Sequence, residues 1–146
     1  MKSAKTMRKA PKHLGDLAKQ MWVIVTTYLD RADAPVQDID DNLIELYCTQ
    51  FEIYRTAYES IKKDGIQTEI WKSVQNSAGE VIGKDFQGYR RNPATAIADG
   101  ALKQLSVVGG QLGLSPKSRA ELANLGNSAA AVDVKAALGD LLGGKS

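Results

Sequence analysis

The sequence predicts a mainly α-helical protein, with about four helices and one β-hairpin between the second and third. Three observations carry this. Apolar residues recur at three- and four-residue spacing over long stretches, the pattern of amphipathic helices. Asn92-Pro93 and Ser115-Pro116 share the construction of a helix start. The polar side chain can bond the free amides of a first turn, and proline fits the first helical position, where its missing N–H costs nothing. Between the helical stretches, residues 66–87 turn β-prone around Asn76-Ser77-Ala78-Gly79, which reads as a hairpin turn.

Taken in order, residues 1–12 form a basic, flexible arm ahead of a first helix at about His13 to Leu29. Its apolar face is Leu14, Leu17, Ala18, Met21, Trp22, Val25, Tyr28 and Leu29, and Arg31 to Pro35 breaks it. The second helix has Asp38 as N-cap, with Asp40 and Asp41 at the positive end of its dipole. Its stripe is Ile39, Leu43, Leu46, Tyr47, Phe51, Tyr54, Tyr58 and Ile61, and Gly65 ends it after Lys62 and Lys63. About 26 residues give a length near 39 Å, long for a chain of 146. Ile66, Thr68, Ile70, Trp71 and Val74, then Val81, Ile82 and Phe86, supply the two strands. A lone hairpin is marginal in water, so this one should lie on the helices or on a neighbouring subunit. Gly88 to Arg91 is expected as a short connector into a third helix, Pro93 to about Leu112. That helix carries a stripe of Ala94, Ile97, Ala98, Ala101, Leu105, Val108 and Leu112, with Gly113 as its left-handed stop. A fourth, short helix runs from Pro116 to near Gly126. Residues 13–126 thus form the core and residues 127–146 an Ala/Gly-rich tail. In the tail, Val134, Ala137, Leu138, Leu141 and Leu142 could form one face of a short helix, or a peptide that folds onto a partner.

Composition is that of an ordinary soluble domain, 43% hydrophobic and 25% charged. No run approaches the roughly 18 apolar residues of a membrane span, and no secretory signal is expected. The single Cys48 offers no internal disulfide and suits a reducing compartment. The net charge of +2 conceals an asymmetry. Residues 1–13 hold five bases and no acid; residues 14–61 hold nine acids and three bases. A basic arm beside an acidic region is used to meet polyanions, and it is equally a solubilising terminus; charge alone leaves both readings open.

Motifs for catalysis are missing. There is no phosphate-binding G-x-x-x-x-G-K-[ST] and no G-x-G-x-x-G. Val108-Gly109-Gly110-Gln111-Leu112-Gly113 falls within and at the end of a helix, where glycines serve close packing. Cys48 has no base beside it and reads as a packed thiol. His13 stands at a helix start, as a cap, a phosphate contact or an exposed residue without a role. Asp30, Asp33, Asp38, Asp40 and Asp41 form the one dense carboxylate cluster, but helix capping and the linker account for them better than a metal does. Trp22 and Trp71 fit apolar patterns, so packing in a core or interface is preferred over base stacking. One cysteine and one histidine argue against structural zinc. No enzyme, cofactor or metal is expected.

Several short segments, in order, resemble the small subunit of tailed-bacteriophage terminases. They are Lys9-Ala10-Pro11-Lys12-His13-Leu14 leading to Met21-Trp22, and Leu43-Ile44-Glu45-Leu46-Tyr47-Cys48 with Tyr54, Ala57, Ile61 and Gly65. Most specific are Arg91-Asn92-Pro93-Ala94 with Leu105, and Leu112-Gly113-Leu114-Ser115-Pro116-Lys117-Ser118-Arg119-Ala120. The resemblance covers about residues 9–125. It implies a ring-shaped homo-oligomer that binds double-stranded phage DNA in the bacterial host cytoplasm. It also implies recruitment and regulation of a large subunit holding the ATPase and nuclease. The long second helix and the hairpin are the elements expected at the ring's interfaces. Electrostatics would dominate DNA contact, each neutralised phosphate adding roughly 0.9 to the salt slope. The candidates are Lys2, Lys5, Arg8, Lys9 and Lys12 in the arm, and Arg90, Arg91, Lys117 and Arg119 at helix starts whose amides favour anions. Arg119 is equally a candidate for an intersubunit ion pair. No helix is rich in base-reading side chains, so shape or bending would supply specificity. Two other classes fit the residues: a dimeric helix-turn-helix transcription regulator built on the third and fourth helices, and a structural adaptor that forms a ring without binding DNA.

Overall fold

A computed structural model describes residues 8–142. The chain forms two compact units, Met1–Leu105 and Ser106–Ser146, and the division falls within the third helix. In chain order the elements are α1 (Asp16–Arg31), a 3-10 turn (Asp38–Asp40), α2 (Asp41–Asp64), β1 (Gln67–Gln75), β2 (Val81–Arg91), α3 (Pro93–Gln111) and α4 (Pro116–Leu142). The expected mainly helical order, with a hairpin between the second and third helices, is what folds.

In the first unit α1 packs on α2. Leu14 just ahead of the helix, then Ala18, Trp22, Val25 and Leu29, are buried at steps of four or three residues, one stripe of the helix. Burying each large side chain contributes about 1.5–3 kcal/mol. Trp22 is 1% exposed, and its indole N–H donates to the Arg8 carbonyl at 3.0 Å, so the ring is both packed and satisfied. Asp33 ends α1 at φ 49, where the Ala34 amide reaches back to Leu29 O.

The buried line of α2 differs from the expected stripe. Ile44, Cys48 and Ala57 are buried, whereas Ile39, Leu46 and Tyr58 are exposed. The helix carries apolar residues on more than one side, and within one chain α1 covers only one of them. Asp38 also opens a 3-10 turn instead of capping α2 directly. Ala57 packs with Ala94 and Ala98 of α3, flanked by Tyr54 and Ile61. Gly65, at φ 80, stops α2 as expected.

The hairpin is longer than expected, since β2 runs through the anticipated connector to Arg91. Pairing shifts between Ile70 and Trp71 and between Val74 and Gln75, leaving Gln87 and Ile82 as the extra residues on β2. Gly88, at φ 116, is the residue of a bulge and not a strand breaker. At the tip, Asn76 Oδ1 accepts from the Ala78 and Glu80 amides, and Gly79 takes φ 82. Of the two positions expected for the hairpin, it does not take the one on the helices: its large apolar side chains are exposed on both faces.

The second unit is built around the turn from α3 to α4. Gly113, at φ 72, lets the Leu114 amide reach Gly109 O at 2.8 Å, the expected left-handed stop. Ser115 Oγ accepts from the Ser118 amide, and Ser118 Oγ accepts from the Ser115 amide, a reciprocal capping box. Val108, Leu112 and Ser118 are buried there. The expected end of α4 near Gly126 is corrected: the helix continues to Leu142. Gly126 does not adopt positive φ, and the alanines that follow are the strongest helix formers.

Candidate nucleic-acid interface

The predicted DNA-contact residues fall into three groups. Lys2 and Lys5 lie outside the described residues. Arg8 is drawn into the fold: its guanidinium donates to Val36 O at 3.1 Å and Gln37 O at 3.3 Å, and it pairs closely with Asp41. Asp38 lies 4.0 Å away, and the Arg8 side chain is 15% exposed. Arg8 therefore fastens the N-terminal segment to the start of α2. Lys9 and Lys12 on the same segment are exposed, and no partner is found for either among the described residues. His13 beside them contacts Glu45 Oε1 at 2.7 Å. Three acids of the carboxylate cluster have local work: Asp41 and Asp38 face Arg8, and Asp40 accepts from the Gln37 amide.

Arg90 and Arg91 are the last two residues of β2, just before the helix start they were expected to occupy. Arg90 is exposed at its side chain, while its carbonyl accepts from Thr68 Oγ1. Arg91 Nε donates to Thr95 Oγ1 at 2.8 Å. Its charge also acts on Asp99, whose carboxyl is held below the usual carboxylate range chiefly by the hydrogen bond from Lys103 and that lysine's charge. Asn92 follows, 4% exposed, and works as more than a cap. Its Oδ1 accepts from the Ala94 amide at 3.0 Å, its Nδ2 donates to Gly65 O at 2.8 Å, and its amide donates to Ile66 O. It ties the end of α2 to the start of β1 and of α3.

Lys117 and Arg119 sit in the first turn of α4, in the second unit. Lys117 faces Glu121 at 3.9 Å, both well exposed, an ion pair of little energetic weight. Arg119 is exposed, without a partner among the described residues. The first and second groups are not brought together in one chain. Arg8 is bonded to the first residue of α2 and Asn92 to Gly65 just beyond its last, and 24 residues of helix separate these ends by about 36 Å.

Two features of the first unit were not expected. A groove of about 650 Å3 runs between α2 and α3, lined by residues from Thr49 to Ser60 and from Asn92 to Ile97. On the hairpin, Trp71, Phe86 and Tyr89 form one aromatic cluster, with ring centroids 5.2 Å apart along the chain of contacts. Phe86 and Tyr89 are three apart, which a regular strand would place on opposite faces. The extra Gln87 brings them to one face, opposite Trp71 and Glu69. Gly88 was the only signal of this in the sequence.

Among the described residues no group of His, Cys, Asp or Glu could hold a metal ion, and no helix is long and apolar enough to cross a membrane. Compared with known protein families, residues 18–129 match the family described as phage terminase, small subunit. No curated protein and no solved structure matches the chain.

Proposed function

The chain belongs to the phage terminase small-subunit family, and from that membership we propose that it is the non-catalytic, DNA-binding subunit of a viral DNA-packaging motor. In this reading it assembles as a closed ring in the bacterial host cytoplasm. It recognises double-stranded phage DNA and recruits and regulates the large ATPase-nuclease subunit. The observation that carries the reading is the family match over the bulk of the chain, in which small subunits serve phage DNA packaging.

The geometry supplies supporting chemistry. Lys9, Lys12, Arg90, Lys117 and Arg119 present exposed cationic side chains, and Lys2 and Lys5 would add to the first group. Repetition around a ring multiplies weak phosphate contacts into avidity. Arg8 and Arg91 have partners within the chain, so their part in the reading is to hold the segments that carry the other bases. Large apolar side chains left exposed on α2 and on both hairpin faces favour an assembly over an isolated chain. Solution mass is the test. A closed ring of many subunits is expected, a dimer would favour a half-site regulator, and failure to shift packaging-site DNA at low salt would leave a structural adaptor.

A further inference from the structure

We propose that the groove between α2 and α3 is the seat for the aromatic face of the hairpin of a second copy of this chain. The proposal rests on the ring assembly above and names the contact that would build it. The groove has a shallow floor of small residues, Ala57 and Ala94, both buried. Its walls are Ile53 and Ile97, which are 37% and 52% exposed, and Glu52 stands at its edge. Alanine at the floor leaves depth for rings. The hairpin presents three: Trp71, Phe86 and Tyr89 are 51%, 43% and 62% exposed, although each ring already meets a neighbour edge-on. Rings fixed against one another lose little freedom on docking.

The hairpin does not fill its own groove. β2 ends at Arg91, immediately before the groove residues Asn92 and Pro93. Trp71 lies four residues up β1 from Gln67 and Phe86 five residues up β2 from Arg91, about 13–17 Å along a paired ribbon. Both surfaces stay open in the single chain.

Charge and area agree with a second copy as the occupant. Residues 14–61, which supply one wall of the groove, hold nine acids and three bases, and residues 62–91 hold six bases and four acids. Of these acids Glu52 lines the groove, and Lys84, opposite Ser73, shares the aromatic face with Glu69. An aromatic side chain buries about 150–250 Å2 when covered. With roughly half of each ring exposed, three give about 250–350 Å2, a third or more of the ~800 Å2 that one partner contributes to a stable interface. Val81 on the same face and Ile82 beside it extend this. Because knob and groove are different surfaces, the contact is head-to-tail, the kind that closes into a ring.

The test uses the full chain. Trp71→Ala and Ile97→Glu should each raise the concentration needed for assembly at least tenfold while far-UV dichroism stays native. A chain carrying both Trp71→Cys and Ile97→Cys should give a ladder of covalent multiples under a short bismaleimide, and either cysteine alone should give none; Cys48 is buried. Wild-type assembly combined with no ladder and an unchanged Trp71→Ala mass would overturn this contact and leave the ring reading standing. Covalent dimers from Trp71→Cys alone would overturn it in favour of hairpin-to-hairpin pairing. A wild-type monomer at every concentration would sink the ring reading and the contact with it.

Discussion

At Asn92 one buried amide joins three segments, and its two halves differ in how far they could be read from sequence. The Asn-Pro pair announces a helix cap, and Oδ1 duly accepts from the Ala94 amide. The bond from Nδ2 to Gly65 O spans 27 residues and exists only because the hairpin returns the chain to the end of α2. Asn92→Ala removes both, leaving a carbonyl and an amide without partners. A loss of about 1–3 kcal/mol is expected, seen as a lower Tm. Asn92→Ser keeps a capping oxygen but cannot reach Gly65, so it should fall between; equal loss in both variants would show that only the Gly65 bond matters. Arg8 shows the same limit: its pairing with Asp41, 33 residues away in sequence and beside it in the fold, could not be read from its charge. Cys48 was read correctly as a packed thiol. Burial, reinforced by the charge of Glu45, pushes its pKa from 9.0 up to about 12. A group that holds its proton more tightly when folded contributes stability fully present below pH 9. That contribution is lost as pH rises toward 12, because the unfolded thiol ionises first. In urea titrations the stability advantage of wild type over Cys48→Ala should therefore shrink above pH 9. A constant difference from pH 7 to 10.5 would show that the thiol does not titrate between folded and unfolded states.

Among the elements, periodicity located every helix but not always its covered face. On α1 the apolar residues fall in one stripe, and the buried apolar residues all belong to the expected face, with Thr26 added to it. On α2 two apolar sides compete, and which is covered depends on where α1 packs, which no single-helix pattern contains. The hairpin was found from its turn and its β-prone residues, but its face assignment depended on two bulges that period-two reading cannot anticipate. On α4 glycine misled in the opposite direction. Gly126 resembles a stop, yet it lies inside the helix, as does Gly139, and a Cβ at either position would meet nothing within 4 Å. Ser128 Oγ donates to Asn124 O, a back-bond of the kind made within a helix. Replacing Gly126 with alanine should thus add about 0.5–1 kcal/mol of helix stability. Ellipticity at 222 nm should deepen, and cleavage by protease between residues 120 and 142 should slow. A loss of helical signal would mean that the glycine meets a close neighbour in the assembly.

For the whole molecule, the three basic groups make different demands on any DNA complex. Lys9 and Lys12 stand at one end of α2, Arg90 at the other, and Lys117 and Arg119 in the second unit. Within the first unit, Lys9 and Lys12 are therefore separated from Arg90 by the length of α2. Phosphate contact is electrostatic and should respond to salt in proportion to the bases removed. Lys9→Ala with Lys12→Ala should lower the slope of log K against log salt by about 1.8 for each engaged subunit. Thermal stability should be unaffected, because both side chains are exposed and no partner is found for them among the described residues. Arg8→Ala should behave in the reverse manner. It removes charge-assisted bonds to Asp41, Val36 O and Gln37 O, worth about 1.5–3 kcal/mol each. Tm should fall, while the salt slope changes by less than one unit. Mobility shifts from 50 to 300 mM salt, run beside melting curves, separate the two roles. If the double lysine variant keeps the wild-type slope, Lys9 and Lys12 do not touch DNA, and Lys2, Lys5, Arg90, Lys117 and Arg119 become the residues to remove next.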